Sequence, residues 1–235
     1  MKYLFFKQWR LIITNKGFFI AGTGTDVGKT YIGCVLSAFL YQQGITVAPF
    51  KPIESNCLII DNKLHANDAN MYFKAIDKSI TDAIIAPYRF KQICSTARAA
   101  KLNQKKITLF DIVEHININK IFRNNSILIV EGAGGMLSPL CYDGFNIDLA
   151  KKLGLPIILV ASNKLGVIND ILLNLKLFDS YDLDCQYIIL NDTDNDTVAN
   201  DDMNNLNELK EYTKIKIVQN DYNSHSFLQQ IKIPS

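Results

Sequence analysis

The chain lacks most of the features that would assign it to an oxidising compartment, a membrane or a polyanion. Its five cysteines (Cys34, Cys57, Cys94, Cys141, Cys185) are odd in number, scattered, and contain no C-x-x-C pair. With only three histidines, the spacing that a disulfide framework or a Cys/His metal site requires is missing. A net charge of +2, from 25 basic and 23 acidic residues, leaves no excess to capture nucleic acid or an anionic membrane surface. No stretch of about 18 uncharged apolar residues occurs, so a membrane-spanning helix is not expected. In residues 1–15, Lys7-Gln8-Trp9-Arg10 interrupts the apolar segments, and the unbroken run of about 7–15 residues of a secretory leader does not form. Two readings of these fifteen residues stay open: a short N-terminal extension, or residues upstream of the true start codon. Without an internal repeat or a Pro/Gly/Ser-rich linker, residues 16–235 are expected to form a single domain, and the cysteine usage suggests a cytoplasmic one.

What is present is a core-forming composition, 48% hydrophobic, arranged as short apolar runs that alternate with helical patterns. Strands are expected at Gly17–Gly22, Thr46–Phe50, Ser126–Glu131, Pro156–Ser162 and Asp184–Asn191, with a weaker one at Lys214–Val218. Helices are expected at Lys29–Gln43, Ala66–Ala75, Thr108–Phe122, Ile147–Leu153, Val167–Tyr181 and Asp201–Tyr212. The strand runs are continuously apolar rather than alternating, the pattern of parallel strands covered on both faces. The expectation is a doubly wound, mainly parallel α/β sheet with its ligand site at the carboxyl ends of the strands. By sequence order, the second strand is expected to lie beside the first. The Asn- and Asp-rich stretch 191–196 is not a calcium loop: Thr197 stands where the loop needs Gly, and Met203 where it needs a carboxylate.

The segment Gly22-Thr23-Gly24-Thr25-Asp26-Val27-Gly28-Lys29-Thr30 follows the first strand and opens the first helix. Successive backbone N–H groups of such a loop surround an anion, and the helix N-terminus adds to the attraction. Lys29 can reach the outer phosphates of a nucleotide, and the Thr30 hydroxyl can hold Mg²⁺. Five residues separate the two framing glycines instead of the usual four, which points to one branch of the phosphate-binding-loop proteins.

Three other strand ends carry polar residues. Lys51-Pro52-Ile53-Glu54-Ser55 closes the second strand, and a second cation there would neutralise charge on a transferring phosphoryl group. Glu131, followed by Gly132-Ala133-Gly134-Gly135, ends a buried strand as a metal-holding acidic residue would, with glycines that let backbone approach a substrate. Asn163-Lys164-Leu165-Gly166-Val167-Ile168-Asn169 leads into a helix whose first N–H groups could bind a carboxylate. Asp68 stands near a helix start, where a cap is the ordinary role.

Together these motifs resemble the dethiobiotin synthetase family. The match continues through Asn67-Asp68-Ala69, Ser138-Pro139-Leu140 and Asn191-Asp192, in order, over about residues 17–192. Two segments differ: Thr96-Ala97 follow Ser95 where the family usually has Pro and His, and Lys216–Asn220 replaces a Gly-x-Ile/Leu-Pro segment. The resemblance implies ATP- and Mg²⁺-dependent joining of 7,8-diaminononanoate and CO₂ to dethiobiotin, by way of a carbamate and a carbamic-phosphoric anhydride. It implies that Lys29 and Lys51 act on phosphate and carbamate, with Thr25 and Ser55 on the carbamate or diamine side. Thr30, Asp68 and Glu131 would hold Mg²⁺. The nucleotide-binding set would be Asp26, Val27, Gly28, Lys29, Thr30 and Tyr31 with Asp68, Glu131, Gly132, Ala133, Gly134, Asn191 and Asp192. Asn191 would bind the adenine. It further implies a homodimer with the site at its interface, where Asn169 of one subunit meets the substrate tail bound by the other.

The rival readings are another ligase of the same branch and a non-enzymatic ATPase switch. An amide-forming ligase of the cobyrinate type would need a glutaminase domain for which 235 residues leave no room. A partitioning-type ATPase switch carries a lysine where this chain has Gly24.

Overall fold

A computed structural model describes residues 16–122, 126–193 and 203–233. Residues 1–15 and residues 194–196 of the Asn/Asp-rich stretch lie outside the described residues, as do the first two positions of the helix expected from Asp201.

Six parallel strands form the central sheet: β1 (Gly17–Gly22), β2 (Val47–Phe50), β3 (Ile127–Glu131), β4 (Ile157–Ser162), β5 (Cys185–Asn191) and β6 (Lys216–Asn220), in the spatial order β6-β5-β4-β1-β3-β2. Strands β1 to β4 are buried throughout, which is why their sequences are unbroken apolar runs. The helices among the described residues are α1 (Lys29–Gln42), α2 (Asn67–Ala75), α3 (Asp82–Ile85), α4 (Thr96–Leu102), α5 (Leu109–Ile118), α6 (Asn146–Leu153), α7 (Val167–Tyr181) and α8 (Asn205–Tyr212). A fully buried Ile, Leu or Phe is worth about 1.5–3 kcal/mol, and Phe18, Phe19 and Ile20 of β1 with Ile32 and Leu36 of α1 enter the common core in this way.

The expectation that β2 lies beside β1 is wrong: β3 is inserted between them, and β2 is the edge. Pro49, inside β2, cannot donate to a ladder, so an edge is the place the sheet tolerates it. The expected helix 108–122 is also interrupted. Thr108 caps α5 and exchanges hydrogen bonds with Asp111, but Asn119 turns extended at φ −87° and ψ 113°. Its side chain donates to the His115 carbonyl at 2.7 Å, competing with continued helix, and a 3₁₀ turn follows at Lys120–Phe122. The last strand starts and ends two residues later than expected, because its register with β5 runs from Tyr187–Lys216 to Asn191–Asn220.

Three short pairings were not expected from the sequence. Ile53–Glu54 pairs with Tyr88–Arg89, Leu58–Ile60 with Lys63–His65, and Pro139–Cys141 with Gly144–Phe145. They lie in the connections at the carboxyl end of the sheet, above β2 and β3.

Candidate active site

The carboxyl ends of the strands open into a cleft of about 870 Å³ that contains the phosphate-binding loop. It sits at the switch point where the chain leaves β1 for neighbours on opposite sides, the usual ligand position of a doubly wound sheet. Register sets its chemistry: Ile20 pairs with Glu131, and Phe50 with Val130. One residue further along β2, Lys51 therefore faces Glu131.

In the loop, Asp26 (φ 59°) and Gly28 (φ 95°) take left-handed conformations that turn the backbone N–H groups inward. Gly28 is doubly constrained, because a Cβ there would lie 2.2 Å from Asn191 Nδ2. Lys29 Nζ donates to the Gly24 carbonyl at 2.6 Å. Burial lowers the Lys29 ammonium below the ordinary lysine value, and the charge of Glu131 opposes that fall. Asn191, the last residue of β5, donates to the Val27 carbonyl at 3.2 Å and accepts from the buried Asn220 of β6 at 2.9 Å. The far end of the sheet is thus tied to the loop.

A second cluster forms around Glu131. Its Oε1 accepts from Thr30 Oγ1 and from Lys51 Nζ, each at 2.8 Å, and its Oε2 accepts from Tyr72 at 2.8 Å. Lys51 also donates to Asp68, so one ammonium bridges two carboxylates. Burial alone would lower the Lys51 ammonium, but Glu131 and Asp68 outweigh it and raise its pKa above the ordinary value. For Tyr72 the two influences agree: burial and then the Glu131 charge push the phenol well above 10, so it remains a donor. Glu54 accepts from the Asp68 and Ala69 N–H groups at 2.9 and 3.0 Å, capping α2 and aiming Asp68 into the cleft. Burial raises the Glu54 carboxyl, with Lys51 pulling it back.

Most of the residues singled out from sequence come together. Thr25, Asp26, Gly28, Lys29, Thr30, Tyr31, Lys51, Ser55, Asp68, Glu131, Ala133, Gly134, Asn191 and Asp192 all line the cleft. Val27 is buried beneath the loop, and Gly132 lies behind the turn it begins. Asn169 is exposed near the start of α7, outside its own chain's cleft. Thr96, at one of the divergent positions, also lines it and donates to the Leu140 carbonyl at 2.6 Å.

Sequence reasoning missed four contributors. Glu54 was part of a quoted motif but had no role, and Tyr72 was passed over although it lies one helical turn beyond Asp68. Asn146 spans the glycine turn, accepting from Ala133 N at 3.0 Å and donating to the Ala133 and Gly135 carbonyls at 2.7 and 2.8 Å. Asn220 lies in a segment that reads only as a departure from pattern. Nothing local marks either asparagine.

The donors Thr30 Oγ1, Asp68 and Glu131 are all oxygens, the type a hard divalent cation takes, and the cluster already accommodates one positive charge, that of Lys51. Among the described residues, no three His, Cys, Asp or Glu side chains are grouped to hold a metal by themselves. Two carboxylates and a hydroxyl fit Mg²⁺, which takes few protein ligands and completes its shell with phosphate oxygens and water. No helix among the described residues is long and apolar enough to cross a membrane.

Comparison with known proteins agrees with this geometry. A family model described as an AAA domain matches residues 16–220. An ATP-dependent dethiobiotin synthetase of Clostridium botulinum is 34% identical over 93% of this chain and 94% of its own length. That of Vesicomyosocius okutanii is 35% identical over 92% and 95%. That of Bacillus licheniformis is 41% identical over 66% of this chain and 63% of its own length.

Proposed function

The chain belongs to the ATP-dependent dethiobiotin synthetase family, and we propose that it converts 7,8-diaminononanoate, CO₂ and ATP to dethiobiotin, ADP and phosphate. The observation that carries the reading is the convergence of two buried lysines, Lys29 and Lys51, with the Thr30–Glu131–Asp68 oxygen cluster in one cleft. Phosphoryl transfer asks for neutralisation of developing charge, and this cleft sets two buried ammonium groups beside the phosphate-binding loop.

In the reaction, one amine of the diamine takes up CO₂ as a carbamate and releases a proton. A carbamate oxygen then attacks the γ-phosphorus as ADP leaves. The second amine attacks the carbonyl carbon, the bond from that carbon to the phosphate oxygen breaks, phosphate departs with the amine's proton, and the ureido ring closes. Lys29 binds the β- and γ-phosphates, giving up its hydrogen bond to the Gly24 carbonyl. Lys51 stabilises the carbamate and the transferred phosphoryl group, with Thr25 and Ser55 orienting the acceptor. Asn191, held by Asn220, contacts the adenine. Thr30, Asp68 and Glu131 would hold Mg²⁺, which when bound neutralises phosphate oxygens.

The active form is a homodimer in which Asn169 of each subunit reaches the substrate tail bound by its partner. In support of this, Asn169 is exposed, and Leu165 (91% exposed) before α7 and Leu173 (62% exposed) one turn after Asn169 are large apolar side chains left to solvent.

The test is ATP consumption with the diamine and bicarbonate each omitted in turn, with dethiobiotin detected by mass. Turnover that requires both supports the proposal. ATP turnover indifferent to the diamine sinks it.

A further inference from the structure

Tyr72 makes a contact that phosphate binding does not require. It is fully buried on α2, and its hydroxyl reaches across to the last residue of β3, donating to Glu131 Oε2 at 2.8 Å. The other carboxylate oxygen, Oε1, is the one that faces Thr30 and Lys51. Opposite, helix α1 makes room: a Cβ at Gly33 would stand 1.9 Å from the Tyr72 oxygen. Helix α1 thus carries at Gly33 the one residue type that leaves this space, one turn after Thr30, which binds the same carboxylate.

We propose that Tyr72 is a positioning residue for Glu131, with its hydroxyl fixing Oε2 so that Oε1 is presented to the Thr30 side of the cleft and to a divalent cation. Without that donor, the carboxylate rotates about its terminal torsion and divides its oxygens among several orientations. Groups that orient a metal-binding carboxylate typically change metal affinity by about 10–100-fold when removed. This role rests on the proposed function, in which Glu131 serves a Mg²⁺ ion beside the nucleotide.

The experiment is Mn²⁺ titration of the protein–ADP complex followed by electron paramagnetic resonance, with metal-free ADP affinity measured in parallel by calorimetry. In the Tyr72→Phe variant, Mn²⁺ affinity is expected to fall by about 10-fold or more while metal-free ADP affinity stays within about twofold. Raising Mg²⁺ should restore most of its turnover, since the defect is in occupancy. Gly33→Ala, which displaces the hydroxyl while keeping it, is expected to weaken Mn²⁺ in the same direction and is the second probe if the phenylalanine variant folds poorly. Unchanged Mn²⁺ affinity in the folded variants overturns the proposal. So does an equal loss of metal-free ADP affinity, which would mean general loosening. If the wild-type ADP complex itself takes no Mn²⁺, the metal reading fails first, and Tyr72 with it.

Discussion

Lys51 Nζ donates to Glu131 Oε1 across 2.8 Å, from just past the end of an edge strand to the last residue of its neighbour. Both groups are buried, so neither charge is left to water. Removing one partner of a buried pair costs more than the pair itself contributes, because the other charge remains desolvated.

Replacing Lys51 with Gln is accordingly expected to act at two levels. The ligand-free protein should lose about 3 kcal/mol of stability in urea unfolding. ADP affinity should stay within a few-fold, while single-turnover chemistry slows by about 10²-fold or more. If the variant simply loses nucleotide, the assigned role of Lys51 is wrong.

Gly28→Ala places a Cβ at φ 95° and against Asn191 Nδ2. The backbone strain alone is about 1–2 kcal/mol, and the displaced asparagine is the residue proposed to contact the adenine. Thermal unfolding should shift down and ADP binding should weaken by at least about 10-fold. A variant binding ADP like wild type would show that the left-handed turn is dispensable.

Asn220→Ala removes the donor that holds Asn191 Oδ1. A buried acceptor left unpaired costs about 1–3 kcal/mol. Stability should drop by that amount, and the KM for ATP should rise with little change in kcat. An effect on kcat alone would separate Asn220 from the nucleotide.

The lowered pKa of Lys29 predicts a proton linkage. Between that value and the ordinary 10.5, the unfolded chain binds more protons than the folded one, so the Lys29 contribution to stability rises with pH there. Lys51 has the opposite sign: its contribution is complete below 10.5 and is lost only above it. Bound phosphate favours the charged Lys29, so ADP binding in the alkaline window should take up a proton. Calorimetry in buffers of different ionisation enthalpy measures it, and a buffer-independent enthalpy would count against the assignment.

If Asn169 serves the partner's cleft, two inactive variants should repair each other. Lys51→Gln mixed with Asn169→Ala should regain up to about a quarter of wild-type activity, because half the dimers carry one intact site. Mixtures no more active than their components would place each site within one subunit.

Much of this site could be read before any coordinates. The glycine, lysine and threonine of the loop, and Glu131 at the end of an apolar run, are local signals whose spacing carries their chemistry. Strand positions were equally legible, since a strand buried on both faces leaves a continuous apolar run. The order of the strands was not. Pro49 was the available clue that β2 is an edge, yet sequence order suggested a place beside β1. Asn119 ended α5 by a side-chain contact that periodicity does not register. Tyr72, Asn146 and Asn220 were invisible for another reason: each matters through a partner more than ten residues away in sequence.

By itself, the sequence determined that a phosphate-binding loop joins a buried strand to a helix, because that loop is a local backbone property set by glycines at fixed offsets. It also determined the inventory of cations and carboxylates. Only the tertiary structure decided how they meet. Inserting β3 between β1 and β2 brings Lys51 opposite Glu131, and Gly33 leaves the space through which Tyr72 reaches the same carboxylate. Those contacts depend on register and on helix approach, and neither is written in any one segment of the chain.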